Sequence, residues 1–128
     1  MARPLTVMLS MVVLLIGCSN GPLHVGAIQL GRSLNEDSTV ASFTTTFKPS
    51  DTIYLSVHTT DKGSGTITAR WFYNGRPAGE RSKAVSFRSA GATEFHMESA
   101  AGFPPGPYNV DVLLDGKPVG SRTFSVGK

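Results

Sequence analysis

The sequence is short of charge, of aromatic side chains and above all of cysteine. Only 16% of its residues are Asp, Glu, Lys or Arg, and 9% are aromatic. A single cysteine, Cys18, excludes an internal disulfide and any cysteine-cluster metal site. The 12 basic and 9 acidic residues leave a formal charge of +3, and the basic ones are scattered. No run of them forms a patch, so nucleic acid is not expected as a partner. Apolar residues never recur at the 3.6-residue spacing of a convincing amphipathic helix. Turn formers, by contrast, are plentiful: glycine stands at 14 and proline at 8. With 128 residues there is room for one ordinary domain and little else.

The one long apolar run lies at the start. Met1-Ala2-Arg3-Pro4 supplies a positive charge, Leu5 to Ile16 is mostly apolar, and Gly17-Cys18 closes the stretch. That is the layout of a secretory signal peptide. A permanent bilayer-crossing helix needs roughly 20 apolar residues, more than this run provides. Leu15-Ile16-Gly17-Cys18 resembles the lipobox of bacterial lipoproteins. The resemblance implies cleavage between Gly17 and Cys18 and transfer of a diacylglycerol to the Cys18 thiol. It also implies acylation of the new amine, with palmitate or a similar chain. Each buried methylene adds about 0.8 kcal/mol, and two or more chains make anchoring effectively stable. Cys18 is followed by Ser19, not by the aspartate that resembles an inner-membrane retention signal. The expected location is therefore the cell membrane, and the periplasmic side of the outer membrane where the host has one.

Removal of residues 1–17 leaves 111 residues with a charge of about +2. Residues 18–27 read as a tether from the lipidated cysteine and 28–128 as the folded domain. The pattern along that domain is alternation with a period of two. A first strand is read at Val25 to Leu30, a loop at Gly31 to Ser38, and a strand at Val40 to Phe47. Lys48-Pro49-Ser50-Asp51 is a turn. Thr52 to Thr59 alternates most cleanly, with Ile53, Leu55 and Val57 on one face and Tyr54, Ser56 and His58 on the other. Asp61-Lys62-Gly63-Ser64-Gly65 reads as a break. Thr66 to Tyr73 then places Ile67, Ala69, Trp71 and Tyr73 inward. Asn74-Gly75 and Asp115-Gly116 are hairpin turns, because these residues tolerate positive φ. Further strands are read at Ser82 to Arg88, Ala92 to Ser99, Tyr108 to Leu114 and Lys117 to Val126. Ala100 to Pro107 is a loop around Phe103. The expectation is an all-β fold: a single antiparallel β-sandwich of seven to eight strands, following a cleaved N-terminal signal helix.

Two features resemble an immunoglobulin-like domain. Trp71 stands mid-strand after a strand of aliphatic alternation. Gly106-Pro107-Tyr108-Asn109-Val110 is similar to the tyrosine corner, in which the tyrosine hydroxyl bonds back to the preceding corner. The resemblance implies that Val110, with Leu55 or Val57, stands where antibody domains carry their disulfide, so packing alone would hold the two sheets. It resembles, in particular, small immunoglobulin-like domains of bacterial envelope proteins. Sandwich domains host many roles, so the fold alone names no activity.

Catalytic signals are scarce. His24, His58 and His96 have no metal-motif spacing, and no metal site or cofactor is expected. No serine carries a nucleophile-elbow context. Glu94 and Glu98 share a strand face and read as solvated. What remains is surface. Arg76, Arg81 and Lys83 cluster beyond the Asn74-Gly75 turn, beside Phe72. Tyr54 and Phe72 point away from the expected core. Either these aromatics only cover their own sheet face, or Phe72, Arg76, Arg81 and Lys83 form a binding face. The expected function is a non-catalytic, lipid-anchored binding or scaffolding module that engages another envelope protein. Contact with carbohydrate or peptidoglycan is the alternative, and a small periplasmic enzyme is a more distant one.

Overall fold

The computed structural model describes residues 21–128; the expected signal segment 1–17, the lipobox and Cys18 lie outside the described residues. Eight strands make up the described chain. They are β1 (Val25–Gly31), β2 (Thr46–Phe47), β3 (Ile53–Thr59), β4 (Gly63–Tyr73), β5 (Arg76–Phe87), β6 (Gly91–Met97), β7 (Gly106–Leu114) and β8 (Lys117–Val126). They form two sheets, ordered β1-β3-β6 and β2-β8-β7-β4-β5. The fold is all-β.

Alternation puts one side chain in two toward the neighbouring sheet. From the three-stranded sheet come Ile28, Leu30, Ile53, Leu55, Val57 and Phe95, all buried. From the five-stranded sheet come Ile67, Ala69, Trp71, Val110, Val112 and Phe124, and the two sets share one hydrophobic cluster. Trp71 is 1% exposed; it lies directly opposite Val110 and meets Phe124 edge to face at 6.0 Å. Val110, Leu55 and Val57 are each fully buried in this cluster. The Tyr108 hydroxyl donates to the Pro104 carbonyl at 2.7 Å, closing a tyrosine corner.

Four boundaries differ from the expectation. The domain begins before residue 28. Pro22 bridges Ser64, Leu23 is buried, and Val25 already belongs to β1, so the described part of the expected tether 18–27 is folded structure from Pro22 on. Apolar Leu23 finds a place against the core because Gly63, with no side chain, lets residues 21–23 approach closely.

The segment Val40 to Phe47 is not one strand. It leaves the first sheet, where Phe43 bridges Gly31, and crosses to the second, where Thr46–Phe47 pairs with β8. That pairing is parallel, the one exception to antiparallel order among the named strands, because the crossing chain arrives beside β8 running in the same direction. The residues before it fold back as a flap over the outer face of β3. Ser56, on the face opposite Ile53, Leu55 and Val57, is fully buried beneath this flap, and its hydroxyl donates to the Ser38 carbonyl at 2.7 Å.

The expected break at residues 61–65 is shorter than read, since β4 starts at Gly63. Gly63 and Gly65 serve there as points of close approach. Finally, β5 starts at Arg76 and not at Ser82, directly after the turn in which Asn74 and Gly75 both have positive φ. Pairing with β4 extends it despite Pro77 and Gly79, which sit where the register shifts.

Candidate functional site

The two long sides of the molecule are built differently. On one side β1 lies against β8: Arg122 Nε donates to the Ile28 carbonyl at 2.9 Å, and the Ile28 side chain sits on Gly120. On the other side β5 and β6 each end their sheet and do not pair with one another. The cause is arithmetic. Strands lie about 4.8 Å apart, so three strands cannot cover the width of five. β5 overhangs, and its first seven residues, Arg76–Ser82, are all exposed.

Under this overhang lies a cleft of about 470 Å³. Its floor is aromatic. Tyr73 and Tyr108 lie 4.7 Å apart between ring centroids, and Phe103 meets Tyr108 edge to face. The floor is held rigid by the Pro-rich loop before β7. Tyr73 donates to the Pro105 carbonyl at 2.9 Å, as Tyr108 does to Pro104, and the Phe103 amide donates to the Pro49 carbonyl. Burial, reinforced by the Tyr73 hydroxyl, pushes the Tyr108 phenol above its ordinary pKa, so it stays a neutral donor. Trp71 also borders the cleft; its indole N–H is buried and has no hydrogen-bond partner among the described residues.

The walls carry Glu80, Arg81, His96 and Glu98, and His96 is held by a network that reaches outside the cleft. Glu94 bonds His96 at 3.1 Å and Lys83 at 3.2 Å, and His96 lies 3.6 Å from Glu98 on its other nitrogen. Burial alone raises the Glu94 carboxyl, but the bonds from His96 and Lys83 more than offset it and hold the pKa below the ordinary value. No serine hydroxyl is among the hydrogen-bond partners of His96 in the described residues. The Lys83 ammonium also donates to the Glu94 carbonyl and lies over the Phe95 ring at 5.0 Å. It straps β5 to β6 at mid-strand. Arg81 lines the cleft with no carboxylate within 4.0 Å among the described residues.

Register decides where the four expected binding residues point, because directly opposed residues share a sheet face. Arg81 stands opposite Ala69 and Lys83 opposite Ile67, so both lie on the inner face. Arg76 is opposite Tyr73 at the turn. Phe72 is opposite Pro77 on the outer face, beyond a register shift. There, with Arg70 and Glu80, it borders a second hollow of about 440 Å³. The four residues thus lie around one sheet edge and not on one face, and Lys83 is already engaged. Gly79, His96 and Glu98 were not singled out as binding residues from sequence. The spacing of Glu94, His96 and Glu98, two residues apart on a strand, was the available signal.

No family model matches the chain, and no curated protein matches it significantly. Solved structures do. An immunoglobulin-like protein from Pseudomonas aeruginosa superposes with a TM-score of 0.57 at 12% identity, covering 84% of this chain and 98% of the other. The alkylpurine DNA glycosylase AlkC of Pseudomonas fluorescens, bound to DNA containing an abasic site analog, superposes with a TM-score of 0.55 at 15% identity. That match covers 84% of this chain but 31% of the glycosylase, so this chain corresponds to about a third of it. At these identities the likeness concerns the fold alone. The chain is an all-β protein of immunoglobulin-like fold.

Proposed function

We propose that this chain is a lipid-anchored envelope protein, in which a non-catalytic immunoglobulin-like sandwich binds another envelope protein at the cleft between β5 and β6. One observation carries the reading: the first described residues, Gly21 and Pro22, and the cleft lie at opposite ends of the same strand. The chain joins the domain beside Gly63, at the start of β4, whereas Trp71 and Tyr73 of the cleft stand at its end. Eight residues of strand separate Gly63 from Trp71, on the order of 26 Å at about 3.3 Å per residue. A lipid on Cys18 would hold the first end at the membrane and present the cleft away from it. Only Ser19 and Asn20 separate Cys18 from the first described residue, Gly21, so the tether is short.

The test has two arms. Intact mass of the purified protein should show loss of residues 1–17 and addition of a diacylglycerol with a further acyl chain. The Cys18→Ala protein should leave the membrane fraction. A photo-reactive amino acid in place of Arg81 should crosslink one envelope protein, whereas the same probe at Thr123 on the five-stranded sheet should not. An unacylated product, or equal crosslinking from both positions, would overturn the reading.

A further inference from the structure

The cleft and the outer hollow share one feature: both border Ala78, Gly79 and Glu80 of β5. A free sheet edge flanked by a hollow on each face is the arrangement that accepts an added strand. The edge supplies main-chain hydrogen bonds, and alternate side chains of the incoming segment enter the two hollows. We propose that the stretch Gly79–Ser82 of β5 is a strand-docking site for an extended acidic segment of a protein partner. The proposal rests on the cleft being the binding site and names what it binds.

The stretch is bounded on both sides. Pro77 has no N–H to offer a neighbouring strand. Beyond Ser82, Lys83 ties β5 to Glu94 of β6 and closes the gap. Between these limits the side chains other than Arg81 are small or already paired. Glu80 is tied to Arg70 and Ser82 to Thr68, both on the outer face. Gly79 has open space where a Cβ would stand, directly opposite Trp71. An apolar side chain entering beside Gly79 would meet Tyr73 and Met97. The next inward position of the incoming strand, two residues on, falls beside Arg81. Glu80 and Glu98 also line the cleft, but Glu80 is tied to Arg70 and no carboxylate among the described residues lies within 4.0 Å of Arg81, so that position calls for an acid.

A second copy of this chain is a poor occupant. Two-fold pairing of β5 with itself keeps like faces together. The central pair is then Glu80 with Glu80, Arg81 with Arg81, or Ser82 with Ser82 and Arg81 opposite Lys83. Each of these registers sets like charges directly opposite, which destabilises a sheet, and the remaining one, centred on Gly79, puts Pro77, which has no N–H, opposite Arg81.

Trp71 is the one tryptophan of the chain and borders both hollows, so its emission reports occupancy directly. The full-length protein in detergent micelles is titrated with three eight-residue peptides. One alternates valine and phenylalanine with aspartate, one has lysine for aspartate, and one is the acidic peptide with alternate backbone nitrogens methylated. The acidic peptide is expected to change the emission saturably. The basic and methylated peptides should bind at least tenfold more weakly, and Arg81→Glu should weaken the acidic peptide at least tenfold. Arg81→Gln, which keeps size without charge, should fall between. Equal responses to the acidic and methylated peptides, or no saturable response to any, would overturn strand addition. Crosslinking from the Arg81 position with no peptide response leaves the cleft as a docking site and removes only the strand. A concentration-dependent dimer lost in Arg81→Glu would assign the edge to self-association instead.

Discussion

The flank where β1 meets β8 and the flank where β5 faces β6 belong to the same two sheets, yet one is closed and the other is open. On the closed flank a guanidinium from one sheet bonds a carbonyl of the other, and an isoleucine covers a glycine. On the open flank Phe87 of β5 covers Gly91 of β6 at one end and the Lys83 ammonium spans the gap at mid-strand, but beyond Lys83 lies an aromatic-floored cleft. The difference lies in strand number, not in hydrophobicity. Five strands overhang three, and the sheet edge that projects carries Arg81, which has no carboxylate within 4.0 Å among the described residues. A fold whose interior is ordinary thereby gains one edge whose backbone and side chains are open to a partner.

The sharpest way to break this contrast is at Trp71, which belongs to the core and borders the open flank at once. Trp71→Ala should cost about 3–5 kcal/mol, read as a lowered urea midpoint by circular dichroism. A much smaller loss would mean that the open flank is loosely packed throughout. Ile28→Ala tests the closed flank; it should cost about 2–3 kcal/mol, because Gly120 cannot fill the space left. Tyr108→Phe removes the bond to Pro104 beneath the cleft and should cost about 1 kcal/mol, with the Trp71 emission spectrum showing whether the floor shifts.

The strap at Lys83 predicts a pH effect. The Glu94 carboxyl has a lower pKa folded than unfolded, so its stabilisation is present above the unfolded carboxylate value and is lost as pH falls through the folded one. Urea midpoints measured from about pH 5 to 3 should therefore fall less steeply for Glu94→Gln than for the parent, the unfolded glutamate titrating near 4.3. A parallel fall would mean that the strap contributes nothing. Smallest of all, Arg81→Ser should change stability by no more than about 0.5 kcal/mol, because its side chain is exposed and has no carboxylate partner. A large loss there would show the open edge to be structural.

Much of the fold is legible in the sequence because its signals are local. Ile53, Leu55 and Val57 alternate, Asn74-Gly75 turns, and Tyr108 follows a Gly-Pro corner; each needs only near neighbours to act. The failures share a cause. Val40 to Phe47 reads as a strand by composition, but the chain has to change sheets within it. Gly63 and Gly65 read as breakers, but they sit where other segments press close. Leu23 reads as tether, but a distant strand gives it a place to be buried.

The candidate site divides in the same way. Arg76, Arg81, Lys83 and Phe72 could be picked out from sequence as a cluster of arginine, lysine and aromatic residues. Which of them share a face follows from the register of β5 against β4, including a shift beside Trp71. Gly79 matters only because it stands opposite the tryptophan.

The sequence by itself determined the strand period, the turns, the aliphatic and aromatic core, and the lipobox-like run ahead of the domain. These follow from covalent chemistry and from side chains a few residues apart. Only the tertiary structure decided that three strands would face five, that β5 would overhang, and that an unpaired arginine would look into the space beneath it. Coverage of one sheet by another depends on how many strands each contains, and no short stretch of chain encodes that number.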